Sequence, residues 1–576
     1  MSRAAGCQRT CLVVASLLVA ACAWAEAPPA APTPPIAPAA PPAAAAPVTE
    51  MTLADAMEEG YAQGRVTREE FGRVVEIYRR AAEAGDATAM FRLAGCCYEG
   101  KGVPVDVKAA AKWAGAAADR GLRAARDRQF DILHMQWQIG CAGAEDFAAL
   151  REPLETLTKA GDAEATARYA VMMENGLGGV KADPAAAMKL FKQAAEKGSA
   201  LGMLGLGRCI AGDVSEAGAD PAGGLRWIEK AAAAGCPAAM SQLGVLYGEG
   251  GGAAKDEEKG LEFTRQAAVR GDVKAMVRLG HLHLARKDDS QDALAYEWFN
   301  RAGELGSGDG LLNVALLHQS GRGASIDPAK AVRLLMQAAE TEPFDAPYRL
   351  GLCFAKARGV DKDPAEAFRW YLKAAAAGST SAMLQLGDAC SDGAGVPADQ
   401  AKALGWYRQA ADKNCAEAFD RLGWMYFEGL GVAKDPAKAA DYYRQASERG
   451  DAMGTYHLGR RYARGEGVPQ DPAKAFALFK QAADMGALDA LTALGAMYAK
   501  GAGCEKDIPK ALECLMAAAQ KGEVMAMYNI GRDYDLGLLG LPKDPQKAVE
   551  WYRKAAAKGN DDAKKRLAEL GAAGQP

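Results

Sequence analysis

Histidine is scarce in this chain, five in 576 residues, and aromatics make up only 7%. No HExxH, GxSxG, Walker or CxxC pattern occurs. Zinc-protease, hydrolase, nucleotide-phosphate and thiol-redox chemistry therefore lack their usual sequence anchors. A basic excess is missing too. The 69 Lys+Arg face 73 Asp+Glu, leaving a net charge of −4, so no nucleic acid is expected as a partner. No apolar run reaches the ~20 residues that a membrane-spanning helix needs. Apolar content is not short: 49% of the residues are hydrophobic and 25% charged. That balance excludes a disordered, collagen-like or mucin-like chain.

The first 25 residues read as a signal peptide. Arg3 and Arg9 supply a positive start, residues 12–20 (LVVASLLVA) an apolar stretch, and Ala23-Trp24-Ala25 a small-x-small cleavage pattern before Glu26. An alternative stays open: Val19-Ala20-Ala21-Cys22 has the form of a lipobox, and cleavage before Cys22 would leave a lipid-anchored N-terminus. Residues 26–50 form an Ala/Pro-rich tether, with nine Pro and ten Ala between 27 and 47. Proline fixes φ and removes amide donors, so an extended spacer is expected there. The chain is thus expected to be exported to the periplasm or beyond, soluble or held as a lipoprotein. Ten of the thirteen Cys follow Glu26. Cys96, Cys97, Cys209, Cys353 and Cys390 sit near one helical position and read as small buried fillers. A bridge from Cys97 to Cys141 is the one pairing considered.

Self-similarity dominates everything after residue 66. An Ala-Ala-x-x-Gly helix ending recurs from Gly85 to Gly559 at intervals of 35 to 40 residues, and eight of the thirteen intervals equal 36. In the unit 415–450, Ala418, Phe419, Leu422, Gly423 and Tyr426 mark the buried face of a helix A. Gly429 can end that helix in the left-handed conformation. Asp435 and Pro436 open a helix B as N-cap and first helical residue. Ala439, Tyr442, Tyr443 and Ala446 form its stripe. A mid-helix glycine recurs at positions such as Gly207, Gly351, Gly423 and Gly531. Interior glycine costs roughly 0.5–1 kcal/mol against Ala, so close approach of a neighbouring helix is expected there. Such hairpins cannot bury both faces alone and must stack. The expected fold is all-α: a right-handed αα-superhelix, or solenoid, of about thirteen 36-residue repeats over 86–559. Residues 51–85 form N-terminal helices or a cap, and 560–576 a capping helix and tail.

The grammar of "AMSQLGVLYGEG" from Ala239 and "KDPQKAVEWYRKAAAKG" from Lys543 resembles the Sel1-like repeat family. The resemblance implies a superhelix similar to that of tetratricopeptide repeats, with helix A on the concave side and adaptor or scaffold roles. It carries no catalytic residues over. Three departures stand out: the 40-residue unit 122–161, Glu342-Pro343 in place of a helix-ending Gly, and the Gly250-Gly251-Gly252 run.

His283 and His318 occupy the Tyr place of successive repeats, followed in that column by Cys353 and Cys390. Equal positions of stacked helices lie ~8–10 Å apart, so the column reads as packing, and neither a metal nor a cofactor is expected. On the concave face the spacing projects Tyr348, Trp424, Tyr456 and Tyr528, with Arg460, Arg532 and, a turn further on, Phe427. Aromatics and Arg are the usual anchors of a protein interface; packing between repeats is the competing reading for the rings. The expected function is a non-enzymatic, exported scaffold binding protein partners along a trough running the length of the superhelix. Two alternatives are a lipoprotein that assists envelope polysaccharide assembly and a hydrolase acting on cell-wall material or β-lactams. The second arises from cysteine-rich members of the resembled family, whose paired cysteines are missing here.

Overall fold

The computed structural model describes residues 67–571 apart from 213–218, 251–253 and 287, together with Ala54, Met57, Glu58 and Tyr61. The signal peptide, Cys22, the 26–50 tether, most of 51–66, residues 251 and 252 of the lengthened loop, and the tail beyond 571 lie outside the described residues.

The repeat Ala416–Glu428 and Pro436–Glu448 shows how sequence becomes hairpin. Helix A stops at Gly429, whose φ of 79° is left-handed. Asp435 caps helix B by accepting from the Lys438 amide at 2.9 Å, and Pro436 fills the first helical position. The Asp435 amide in turn donates to the Tyr426 carbonyl at 2.8 Å. Equivalent bonds join Asp399 to Cys390 at 2.7 Å, Asp471 to Tyr462 at 2.9 Å and Asp507 to Tyr498 at 3.0 Å. Each one ties the start of B to the last turn of A. The second loop glycine sets the spacing between repeats. At Gly467 a β-carbon would lie 2.0 Å from the Pro436 carbonyl oxygen, so this loop rests directly on the start of the preceding helix B.

Thirteen such A/B pairs run from Ala87–Glu99 to Pro545–Ala557, between a leading helix Arg68–Glu83 and a trailing helix Asp561–Glu569. That makes 28 α-helices, with no strand among the described residues. Helices pack on their sequence neighbours, except that Arg123–Gln138 and Ala148–Lys159 meet through the 3₁₀ turn between them, and the buried residues form eight clusters strung along the chain rather than one centre. This is the nearest-neighbour energetics of a solenoid.

The mid-helix glycines meet a side chain more often than a backbone. Gly423 faces the ring of Tyr443 from its own helix B, where a β-carbon would stand 2.6 Å from Cε1. Gly351 faces Tyr371, Gly387 Tyr407, Gly459 Phe479 and Gly531 Tyr552 in the same way. Backbone closes in as expected at Gly207, against the Gly224 carbonyl at 2.8 Å, and less tightly at Gly244 and Gly495, against the carbonyls of Gly260 at 3.2 Å and Ala511 at 3.1 Å. Burying such a ring stabilises by roughly 2–3 kcal/mol, more than the glycine costs in propensity.

The irregular units are irregular for visible reasons. In the second repeat, helix A spans Arg123–Gln138, sixteen residues instead of thirteen, without a side-chain cap. A 3₁₀ turn over Ala144–Phe147 precedes its helix B, Ala148–Lys159. At 342–347 the missing Gly and N-cap are replaced by Glu342, whose carboxylate accepts from the amides of Phe344, Asp345 and Ala346. Stacking continues through it. Cys97 and Cys141 do not bridge: both are free thiols, and the Cys141 thiol donates to the Gly306 carbonyl at 3.3 Å.

Candidate functional site

Successive A helices touch one another more closely than successive B helices do, which puts A on the inner, concave side. Along that side in residues 345–536 lie all the residues singled out from sequence. They do not form one surface. Tyr348, Tyr456 and Tyr528 are half-buried, with ring centroids 6.0, 5.7 and 5.6 Å from Tyr371, Phe479 and Tyr552 of their own B helices. Burial pushes the Tyr348 and Tyr456 hydroxyls up. These rings extend the intra-repeat packing over the glycine and offer one face outward. Trp424 differs: it is 42% exposed, 6.4 Å from the Phe427 ring.

Along this face the cations are arranged in two ways. Arg460 lies over Tyr456 at 5.8 Å, and Arg532 is exposed beside Asp533 at 3.4 Å. Arg461, which the sequence reading missed, is 2% exposed and stacks on the Phe427 ring at 3.7 Å, with Glu466 at 2.9 Å. It closes one side of Phe427, leaving that ring half-buried.

A second feature escaped the sequence reading. Buried Asp420 holds His457 Nδ1 at 2.7 Å across the repeat boundary. Next to it, Asp388 accepts from the Tyr407 hydroxyl at 2.7 Å and from Arg421 at 3.2 Å. These bonds join three successive A helices along the concave face. The signal for them is a carboxylate at two inner-face positions that in other repeats carry aliphatic, aromatic, basic or hydroxyl residues, namely Asp388 and Asp420. The other two histidines considered for metal are separately engaged, His283 with Gln291 at 2.8 Å and His318 with the Ser325 carbonyl at 2.9 Å. No cluster of three or more metal-ligating side chains occurs among the described residues, and no described helix is long and apolar enough to cross a membrane.

The N-terminal half of the trough is not open. The long helix Arg123–Gln138 and its loop cross its inside. Ile139 packs with the cluster spanning 204–305, Cys141 meets Gly306, and Gly140 abuts the Thr341 carbonyl. Residues of the second repeat thus contact the sixth and seventh, and the first superhelical turn closes on the chain's own segment. The continuous trough expected from sequence is therefore limited to the C-terminal half. Within this wall the His134 ring is crowded: burial, with Arg208 and Lys274 nearby, pushes it down to about 4.

Comparison with known proteins agrees with this geometry. The Sel1 repeat matches twelve segments: 87–122, 163–199, 200–236, 237–272, 273–307, 308–340, 345–379, 380–415, 417–451, 452–486, 488–523 and 524–560. The gap between the first two, 123–162, is the unit that plugs the turn. Among solved structures, a protective antigen of uropathogenic Escherichia coli strains displaying an SLR fold is 24% identical, with a TM-score of 0.50, covering 86% of this chain and 97% of that one. A Sel1 repeat protein from Oxalobacter formigenes is 31% identical over 42% of this chain and 96% of its own, with a TM-score of 0.39. No curated protein matches the chain.

Proposed function

The chain belongs to the Sel1 repeat family, whose members generally serve as scaffolds for protein–protein interaction, and from that premise we propose an exported adaptor that binds its partner on the concave face of residues 345–536. The observation that carries this is Trp424, a large ring left 42% exposed in a groove whose other rings are half-covered. Exposed aromatics beside Arg are what interface hot spots are made of. Export rests on the sequence of residues 1–25, and the choice between a soluble and a lipid-held chain on Cys22. Mass spectrometry of the mature N-terminus decides it: a free Glu26 means a soluble adaptor, and an acylated Cys22 an anchored one, the form suited to envelope polysaccharide assembly.

The interface is tested by separating binding from packing. Trp424→Ala is expected to leave the melting temperature unchanged and to abolish crosslinking of the envelope partner. Tyr456→Ala is expected to lower the melting temperature, because its ring lies on Phe479. Retained crosslinking by the folded Trp424→Ala variant refutes the placement.

A further inference from the structure

The plugged N-terminal turn is not solid. It leaves a half-open cleft of about 1020 Å³, and a second half-open recess of about 570 Å³ adjoins it. Gln138, Lys274 and Arg278 line both, so they form the partition between the two chambers. The chambers differ in character. On the far wall of the larger one, Arg168 is engaged by carboxylates, with Asp127 at 3.1 Å and Asp131 at 3.4 Å. The smaller one is walled by Ile139, Val273, Val277 and Leu282.

The partition carries unspent positive charge. Lys274 is exposed and makes no ion pair within 4.0 Å among the described residues. Arg278 reaches Glu249 at 3.0 Å through Nη1, while its buried Nε has no hydrogen-bond partner. Asp272, the carboxylate nearest in sequence to Lys274, is held as the cap of helix Val273–Leu284, accepting from the Ala275 amide at 2.8 Å. At the other end of the recess stand Asp309 and Glu342, and Glu342 is committed to the three amides it caps. An anion entering the recess is drawn to the Lys274 end and repelled from the Asp309 end. The volumes fall in the range of small-molecule sites.

We propose that these chambers bind a small amphiphilic carboxylate, its charge held at the partition by Lys274, Arg278 and the Gln138 amide and its apolar body in the recess of Ile139, Val273, Val277 and Leu282. This site is independent of the protein-binding face. It is tested by isothermal titration of the full mature chain with 2-naphthoate and its uncharged isostere 2-naphthamide. The carboxylate is expected to bind about tenfold more tightly than the amide, the worth of one charge-assisted contact. Lys274→Gln and Lys274→Glu, both at an exposed position, are expected to remove that preference without moving the melting temperature. Displacement of naphthoate by octanoate assigns a lipid-derived acid, and resistance to displacement an aromatic one. Equal affinity for acid and amide, absence of binding by either, or a preference that survives in both Lys274 variants overturns the proposal.

Discussion

Gly423→Ala puts the repeat's packing logic to a quantitative test. The new methyl would stand 2.6 and 2.7 Å from Tyr443 Cε1 and Cδ1, where carbon contacts settle at about 3.5–4.0 Å. The ring would have to retreat by about 1 Å. It cannot do so freely, since Tyr443 is 1% exposed and flanked by Ala439 and Ala446, both fully buried. Overpacking of this kind costs about 1–3 kcal/mol, and the gain in helix propensity returns roughly 0.5–1 kcal/mol, so a net loss of about 1–2 kcal/mol is expected. A long repeat array does not unfold in one step, so the assay should be local. Native-state hydrogen exchange across Ala416–Glu428 is expected to quicken about 5- to 30-fold. Gly405 provides the internal control. It lies inside helix Gln400–Asp412, and a methyl added there would meet nothing within 4 Å, so Gly405→Ala is expected to slow exchange, by roughly 0.5–1 kcal/mol of stabilisation. If the two substitutions shift exchange in the same direction, the steric account of the mid-helix glycine is wrong.

Three further outcomes follow from particular contacts. Burial raises the Asp533 carboxyl despite Arg532 beside it, so the folded chain keeps that proton to higher pH than the unfolded chain does. The group therefore costs stability as pH rises from about 4 through its raised folded value. Asp533→Met, restoring the residue type found at Met425 and Met497, is expected to raise the melting temperature at pH 7 by an amount worth about 1–3 kcal/mol and to lose that advantage near pH 4. Ile139→Asp should open the closed turn, with faster exchange at 138–142 and 306–311 and none at 416–464; unchanged exchange at 306–311 would show that the plug does not hold the turn. A chain beginning at Glu26, unfolded without reductant, should titrate as ten free thiols, and fewer would reveal a bridge.

The repeat architecture was legible because each of its rules is local. Asp-Pro starts a helix, Gly429 stops one, and a 36-residue period repeats both often enough to outweigh exceptions. The candidate face was half legible. Spacing alone located Tyr348, Tyr456 and Tyr528 on the inner side. It could not show that a Tyr or Phe of helix B would lie beneath each of them, because the ring and its glycine are about twenty residues apart in sequence. Arg461 and Asp420 escaped for a related reason. Each is a charged residue at a place that is apolar in most other repeats, and its partner across the boundary, Phe427 or His457, is supplied by the neighbouring unit, which no single-repeat pattern contains.

Closure of the first turn was the least legible feature, although its cause is written in the sequence. A solenoid made of identical units keeps its inner surface free, since every A helix is the same length and stops at the same radius. Three extra residues on helix Arg123–Gln138, at 1.5 Å each, carry its end about 4.5 Å further along its axis than a thirteen-residue helix A reaches. The loop beyond that end is then long enough to meet Gly306 and Thr341 on the opposite wall. Both sites receive it through backbone: the Gly306 carbonyl accepts from the Cys141 thiol, and the Thr341 carbonyl abuts Gly140. One lengthened repeat thus divides a uniform stack into a half crossed by its own segment, with two half-open clefts, and an open half with an exposed tryptophan. The two halves can then take different classes of ligand without competing for the same surface.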